Sequence, residues 1–441
     1  MEKAPYSNKN NYVAIGIIGL LFFIFGFVSW LNSLLIPYFK LVCHLVTWQS
    51  MMVAFAFYFS YFVMAIPSSA LLKKTGFKNG MMLGLWVMAA GTIIFIPAAL
   101  SRSYIIFLLG LFVQATGLTI LQTAVNPYIT ILGPLESAAK RISIMGICNK
   151  AAGALAPLIL IHAITKNPDE IDHLKKLLPS LTQIKQSAIL NELSSRLIMP
   201  YIIMTIILFV LGLMIRYSNL PEVREQEDTF HTEPGIQKNS IFQFPFLILG
   251  AIAIFFEVSV EVLAVDSIIN YSEYMGYSFK EAKFFATYIL MIMIISYIAG
   301  TIMIPKYIKQ KKALQFSSLL GLIISLTAIF ISGKTSVWFI ALLGLSNALL
   351  WPSIWPLALD GLGKFTKRGS ALLIMGVVGG AITPLLYGYL SDYYNAQQAY
   401  WILVPCYLYL LFFSVKGYKI GRSISKQIQE TSDHKLKAKI A

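Results

Sequence analysis

The sequence predicts an all-α integral membrane protein with twelve transmembrane helices arranged as two related halves of six. Composition is the first indication, since apolar residues make up 57% of the 441 positions and charged residues only 12%, about half the charged share of a soluble domain. Length is the second, because the apolar residues fall in runs that can cross a hydrocarbon core of roughly 30 Å. The third is a motif in the first half that recurs in the second.

Charged residues, prolines and glycines bound the predicted helices. We place them at 12–39, 50–72, 80–100, 104–132, 142–165, 198–217, 242–271, 283–305, 313–332, 336–362, 369–391 and 399–416. The first run is too long for the apolar core of a signal peptide and is expected to stay in the protein. The chain then divides into a first half (1–217), a cytoplasmic linker (218–241), a second half (242–417) and a basic tail (418–441).

The fifth and eleventh predicted helices carry the same motif. Lys140, Arg141, Ser143, Gly153, Ala154, Pro157 and Leu158 recur at a constant offset of 227 residues as Lys367, Arg368, Ser370, Gly380, Ala381, Pro384 and Leu385. Internal duplication of this kind is typical of secondary transporters. The pattern therefore predicts two pseudo-symmetric halves.

The basic residues predict how the chain is oriented. A formal net charge of +15 could indicate a nucleic-acid partner, but the lysines and arginines are spread through short connectors, which argues against one. With both termini inside, the inward segments hold more than twice as many basic residues as the outward ones. The positive-inside rule then predicts cytoplasmic termini in a cell (inner) membrane.

Motifs of catalysis and metal binding are missing from the sequence. We find no phosphate-binding loop, zinc-protease motif or nucleophile elbow, and Cys43, Cys148 and Cys406 lack metal-ligand spacing. We therefore expect no enzyme, no metal site and no cofactor other than a coupling ion.

Ionisable residues inside the predicted membrane region are the first candidate site. Glu257 and Glu261 lie one turn apart in the seventh helix, Asp266 follows, and Lys150 of the fifth helix is the one clear base. Such acids must pair, take up a proton or hold a cation. We predict that Glu261, Asp266, Glu257 and Lys150 couple transport to H⁺ or Na⁺. The alternative is a structural pair between Lys150 and one acid, with Asp266 at the outer interface.

Amide side chains form a second candidate group. Gln114, Gln122 and Asn126 form a polar stripe in the fourth helix, which Asn32 and Asn149 extend in the first and fifth helices. Amides both donate and accept hydrogen bonds, as sugar hydroxyls do. Contact between helices is the alternative role.

Aromatic residues in the tenth helix are the third group. Asn347, Trp351 and Trp355 are spaced four residues apart, and Pro352 and Pro356 are expected to break this helix. An indole can stack on the apolar face of a sugar, and Trp30 either does so or anchors at the interface. The predicted sugar-binding residues are Asn32, Gln122, Asn126, Asn149, Asn347, Trp351 and Trp355.

Four stretches resemble the fucose-galactose-glucose symporter family of the major facilitator superfamily over nearly the whole chain. They are FGFVSWLNSLLIPYF, LQTAVNPYITILGP, KRISIMGICNKAAG and WPSIWPLALDGLGKFTKRGSALLIMGVVGGAITPLLYG. EVLAVDSIINY, from Glu261 to Tyr271, is similar to the glucose/galactose and N-acetylglucosamine branch. The resemblance implies the major facilitator fold.

The resemblance also bears on individual residues. In the fucose branch, acids on the first and fourth helices serve proton coupling and substrate binding, and the matching positions here are Ser33 and Gln122. It follows that Gln122 and Asn149 would contact the sugar, and that coupling would rest on Glu261 and Asp266. Glu257 departs from the family, whose members commonly have an aromatic residue there.

We therefore expect a monomeric carrier whose partners are the lipid bilayer and a neutral hexose such as glucose, galactose or N-acetylglucosamine. Cation-coupled symport by alternating access is the expected mechanism. An uncoupled facilitator is the first alternative. A membrane sensor that transports nothing and a lipid-modifying enzyme are the others.

Overall fold

The computed structural model describes residues 8–131, 138–167, 169–218, 240–304, 306–362 and 365–422, and within these ranges it contains helices and no strand. The all-α prediction is therefore confirmed. Most of the predicted linker and of the basic tail lies outside the described residues.

Eleven helical stretches in the described part of the chain are long and apolar enough to cross a membrane. One of them, Thr47–Ser101, has 55 residues, and at 1.5 Å per residue it would extend about 80 Å, far more than one crossing requires. Gly76 interrupts it with φ 76° and ψ 171°, a conformation that glycine tolerates and other residues avoid. The stretch is therefore two crossings, and the predicted twelve helices are present.

We number the membrane helices α1 to α12 in chain order. Their bounds are α1 Asn8–Trp30 and Asn32–Val42, α2 and α3 within Met52–Ser101 on either side of Gly76, α4 Tyr104–Ile131, α5 Ala138–Ile164, α6 Ile198–Tyr217, α7 Pro245–Tyr274, α8 Phe279–Met303, α9 Gln310–Phe330, α10 Lys334–Asn347 and Leu350–Leu359, α11 Thr366–Met375 and Gly379–Tyr393, and α12 Leu403–Val415. Two short helices, Glu170–Leu177 and Gln183–Ser195, lie between α5 and α6.

The break in α10 has a local cause. Pro352 has no backbone N–H, and its ring would clash with the carbonyl of Ala348 in a continuous helix. The helix accordingly ends at Asn347 and restarts at Leu350. The predicted break is confirmed for Pro352, and it lies beside Asn347 and Trp351. It is wrong for Pro356, because the restarted helix continues through that residue to Leu359.

The two halves meet mainly along the helix pairs α1 with α7, α2 with α11 and α5 with α8, and α5 also touches the second segment of α10. Large apolar side chains such as Ile105, Ile206 and Phe330 are exposed on the outside, as expected where lipid is the solvent. Polar and charged residues such as Glu257, Asp266 and Asn347 are buried inside the bundle. We call the end of the bundle that carries residues 165–197 the loop side and the opposite end the linker side.

Candidate substrate and coupling site

The site begins where two glycines let α1 and α5 touch. A Cβ atom at Gly26 would overlap the backbone carbonyl of Asn149, and a Cβ at Gly153 would overlap the indole of Trp30. Because both glycines lack that atom, the indole Nε1 of Trp30 can donate a hydrogen bond of 3.0 Å to Oδ1 of Asn149. Trp30 is 3% exposed, so its ring belongs to the interior and not to the membrane interface.

Lys150, the next residue on α5, forms an ion pair with Glu261 of α7. The two side chains are only 7% and 11% exposed, and the ammonium nitrogen lies 4.2 Å from the centre of the Trp30 ring. The cation is therefore held by a carboxylate and by an aromatic face together. The structural alternative pairs Lys150 with one acid of α7, and the structure identifies that acid as Glu261.

Glu257 lies one turn before Glu261 and is 0% exposed. Neither of its carboxylate oxygens has a hydrogen-bond partner. A buried charge without a partner is costly, whereas the protonated acid carries no charge. This environment therefore suits the neutral form of Glu257.

Asp266 is the second acid without a hydrogen-bond partner. It is 0% exposed and both of its oxygens are unsatisfied. The alternative in which Asp266 reaches the outer interface is therefore wrong. The spacing in the sequence could not exclude it, because the depth of Asp266 depends on how the other helices cover α7.

The amide stripe of α4 divides between two neighbours. Gln122 donates to the hydroxyl of Tyr61 on α2 at 3.1 Å, whereas Gln114 points to the sulfur of Met204 on α6 at 4.0 Å. The interpretation of Gln114 as part of the same stripe is wrong, because a spacing of eight residues turns a helix about 80° away from its starting direction.

A small cavity lies beside Gln122, on the linker side of Trp30. Its lining residues are Leu21, Phe22, Phe25, Leu121, Gln122, Val125 and Asn126. Its volume of about 10 Å³ gives room for about one water molecule. It is too small for a hexose in this conformation.

Two further amides have unused hydrogen-bonding capacity. Both polar side-chain atoms of Asn32 and the Nδ2 atom of Asn149 are buried without partners. Most buried amides in proteins find partners, so unsatisfied ones are informative. Asn149 is bound to Trp30 through its oxygen and could still donate to a ligand through its nitrogen.

In the second half, Asn347 forms contacts between helices. Its Nδ2 donates to the carbonyl of Val260 on α7 at 3.3 Å, and its Oδ1 accepts a hydrogen bond of 2.7 Å from Tyr407 of α12. Trp351 and Trp355 follow and stack on each other, with ring centres 5.3 Å apart. In this conformation Asn347 has a packing role, and the indole pair is the part of the group that could face a ligand.

The structure therefore collects Trp30, Asn149, Lys150 and Glu261 into one contact group, while Gln122 and Asn347 each bond elsewhere. Sequence reasoning missed the tyrosines Tyr61 and Tyr407, which bond the two predicted amides Gln122 and Asn347. A hydroxyl within an apolar run was the signal available for them, since a buried tyrosine hydroxyl usually has a partner.

Comparison with known proteins agrees with this architecture. The family model of the Major Facilitator Superfamily matches residues 18–378. The glucose/galactose transporter of Brucella abortus biovar 1 (strain 9-941) is 33% identical over 420 residues, which cover 94% of this chain and 96% of that protein. The L-fucose-proton symporter of Escherichia coli (strain K12) is 27% identical over 424 residues and 94% of this chain.

A solved structure of the E. coli fucose:proton symporter superimposes with a TM-score of 0.72 at 25% identity, covering 92% of this chain and 98% of that one. These relatives are transporters, which confirms the expectation that the chain is not an enzyme. They also confirm the resemblance noted from the sequence motifs. With a family model that matches most of its length, the chain belongs to the major facilitator superfamily.

Proposed function

We propose that the protein is a proton-coupled symporter of a neutral hexose, with glucose and galactose as its main substrates, and that it works by alternating access. The observation that carries the proposal is the buried ion pair between Lys150 of α5 and Glu261 of α7, with the unpaired acid Glu257 one turn away. The pair links the first six helices to the last six. A change of charge beside it can therefore change how the halves hold together.

A proton is the ion that this arrangement suits better. Glu257 and Asp266 are nine residues apart, which is about 13 Å along a helix, so the two free carboxylates are too far apart to bind one ion. Protonation alone neutralises a buried carboxylic acid without further ligands.

Coupling would then depend on Lys150. When Glu257 is ionised, the carboxylates of Glu257 and Glu261 both attract the ammonium group of Lys150, and the group of three carries a net negative charge. When Glu257 is protonated, Glu261 alone balances Lys150. The two states differ by a full charge in a medium of low dielectric constant, where such a difference is large enough to shift a conformational equilibrium.

Recognition of the sugar would use both halves. Asn32 and Asn149 offer unused amide groups in the first half, and the stacked indoles of Trp351 and Trp355 offer an apolar surface in the second. Hydroxyls would bond the amides, and the apolar face of the ring would contact indole. A ligand that contacts both halves favours the state in which they close around it.

The relatives support the class of substrate. The more similar of them is named a glucose/galactose transporter and the less similar a fucose-proton symporter, so we place glucose and galactose before fucose. Orientation is part of the proposal: both termini lie in the cytoplasm, the loop side faces outward, and the membrane is the inner membrane of a bacterial cell. The distribution of lysine and arginine supports this orientation.

The test is uptake of labelled glucose, galactose, N-acetylglucosamine and fucose by proteoliposomes, with pH and Na⁺ gradients imposed separately. We expect glucose and galactose to accumulate only when the pH gradient is directed inward, and a protonophore to abolish the accumulation. Equilibration without accumulation under either gradient would show a facilitator. If none of the sugars enters, the proposed function is wrong.

A further inference from the structure

On the loop side, each half holds the start of a helix in the other half through an aspartate. Asp172, on the short helix Glu170–Leu177 of the first half, accepts hydrogen bonds from the amides of Phe279 and Lys280 at the start of α8, at 2.9 and 3.1 Å. Asp392, near the end of α11, accepts from the amides of Thr47 and Trp48, at 3.2 and 2.8 Å. These amides begin the helical stretch that contains α2.

Both contacts use the same physical feature. The first amides of a helix have no partner within the helix and carry a partial positive charge, so a carboxylate there is stabilising. At α8 the hydroxyl of Ser278 already accepts from the amide of Glu281, and Asp172 supplies acceptors for the two amides before it. Each aspartate thus binds two amides with its two oxygens.

Local packing brings each aspartate into place. Gly388 lies one turn before Asp392, and a Cβ there would approach the Cα of Trp48 to 2.8 Å, so its absence lets α11 lie directly against the start of α2. The helix of Asp172 buries Ile171 and Leu174, and the ion pair between Glu170 and Arg196, at 2.8 Å, ties it to its own half. It therefore acts as a rigid arm of the first half.

Charged contacts reinforce the arm. Lys175 pairs with Glu273 at the end of α7 and lies 4.9 Å from the ring centre of Phe279. Lys280 lies 3.1 Å from a carboxylate oxygen of Asp169. These exposed and half-exposed pairs add modest stability, and like the aspartates they join the first half to the second.

We propose that Asp172 and Asp392 form a loop-side latch that holds this end of the carrier closed. The latch rests on alternating access in the proposed function and names the contacts that must break when the loop side opens. Opening separates α5 from α8 and α2 from α11, which leaves four helix-start amides without carboxylates. Removal of either aspartate therefore shifts the equilibrium toward the state that is open on the loop side.

The test uses a cysteine placed at a contact between the halves. Thr287 of α8 donates a hydrogen bond of 2.9 Å to the carbonyl of Ala154 on α5, between the halves. The protein for this test carries Thr287→Cys, and Cys43 and Cys148 are replaced by serine. The rate at which the cysteine at position 287 reacts with a water-soluble maleimide then measures the population of the open state, even when that population is small. Cys406, which is buried in α12, stays as an internal control for general loosening.

We expect Asp172→Ala and Asp392→Ala each to raise the rate at position 287 about fivefold, the value of a typical lost helix cap, and the double variant to raise it about 25-fold, because distant sites act additively. The rate at Cys406 should not change. Glu192→Ala is the matched control, because Glu192 is a loop-side acid that pairs with Lys166 and Arg196 of its own half, and it should leave both rates unchanged.

An unchanged rate at position 287 in the single variants overturns the latch, and so does an equal rise at Cys406. The single variants decide the question if the double variant does not fold. The measurement is made on purified protein in lipid nanodiscs without sugar. If the protein transports no sugar but shows the expected labelling rates, the proposed function is wrong and the latch is supported. If it transports sugar but the labelling rates do not change, the latch is wrong and the proposed function is supported.

Discussion

Lys150 of α5 and Glu261 of α7 form a buried ion pair across the interface between the two halves, and the ring of Trp30 covers the ammonium group at 4.2 Å. A buried pair is weak support for stability, because removing two charges from water costs about as much as their attraction returns. The position of the pair therefore suggests a switching role. Loss of the pair should therefore impair the coupling of transport as well as the stability of the fold.

The first prediction concerns the stability of this pair. Glu261→Gln leaves the Lys150 ammonium buried without its counter-charge and should destabilise the protein by about 3–5 kcal/mol. The double variant Lys150→Met/Glu261→Gln removes both charges and should recover most of that loss. Thermal unfolding in detergent measures both. A double variant less stable than Glu261→Gln alone would contradict the pairing.

The second prediction separates the two unpaired acids. Glu257→Gln resembles the protonated acid in shape and charge, so it should preserve exchange of sugar down its gradient and abolish accumulation driven by protons. Asp266→Asn should retain accumulation, because Asp266 lies about 7 Å beyond Glu261 along α7 and is not part of the pair with Lys150. Counterflow and gradient-driven uptake in the same vesicles distinguish these outcomes. Loss of accumulation in Asp266→Asn alone would transfer the coupling role to that residue.

The third prediction concerns the close approach of α1 and α5. Gly153→Val places a side chain where the indole of Trp30 lies, and overpacking of this kind costs about 1–3 kcal/mol. We expect lower thermal stability and a marked loss of transport. Gly16→Val is the matched control, since nothing lies within 4 Å of a Cβ there. Equal behaviour of the two variants would show that the contact is unimportant.

The fourth prediction concerns the hydrogen bond between Trp30 and Asn149. Trp30→Phe keeps an aromatic ring near Lys150 but leaves Oδ1 of Asn149 unsatisfied, which costs about 1–3 kcal/mol. The side chain of Asn149 is then no longer held in one orientation, so we expect the KM for sugar to rise about tenfold. The amount of folded protein should change little. Trp86→Phe removes a similar indole donor, whose 3.4 Å bond to Phe209 lies away from the site, and should leave KM unchanged.

The helices were predictable because the bilayer imposes their length and polarity. Each predicted run corresponds to a membrane helix, and the boundaries differ by a few residues where helices extend past the apolar core, as α8 does by starting at Phe279. The continuous stretch through Gly76 was predicted as two helices, since Lys73, Lys74 and Lys78 interrupt the apolar pattern.

The site was predictable only in part. One of the two interpretations paired Lys150 with an acid of the seventh helix, but Glu257 and Glu261 share a face, and only the three-dimensional contact between the side chains selects Glu261. Periodicity along one helix gives the angle between Gln114 and Gln122 but not the neighbour that each contacts, which is α6 for Gln114 and α2 for Gln122. Asp172 and Asp392 gave no signal, because in a sequence a helix cap between distant segments looks like any polar loop residue.

In the proposed mechanism, a proton taken up beside the Lys150–Glu261 pair moves with the sugar. Its most direct test is the external pH of weakly buffered vesicles when glucose is added without any imposed gradient. The medium should become alkaline with the wild-type protein as protons enter with sugar, and Glu257→Gln should transport glucose with no pH change. Glucose entry without alkalinisation in the wild type would contradict it.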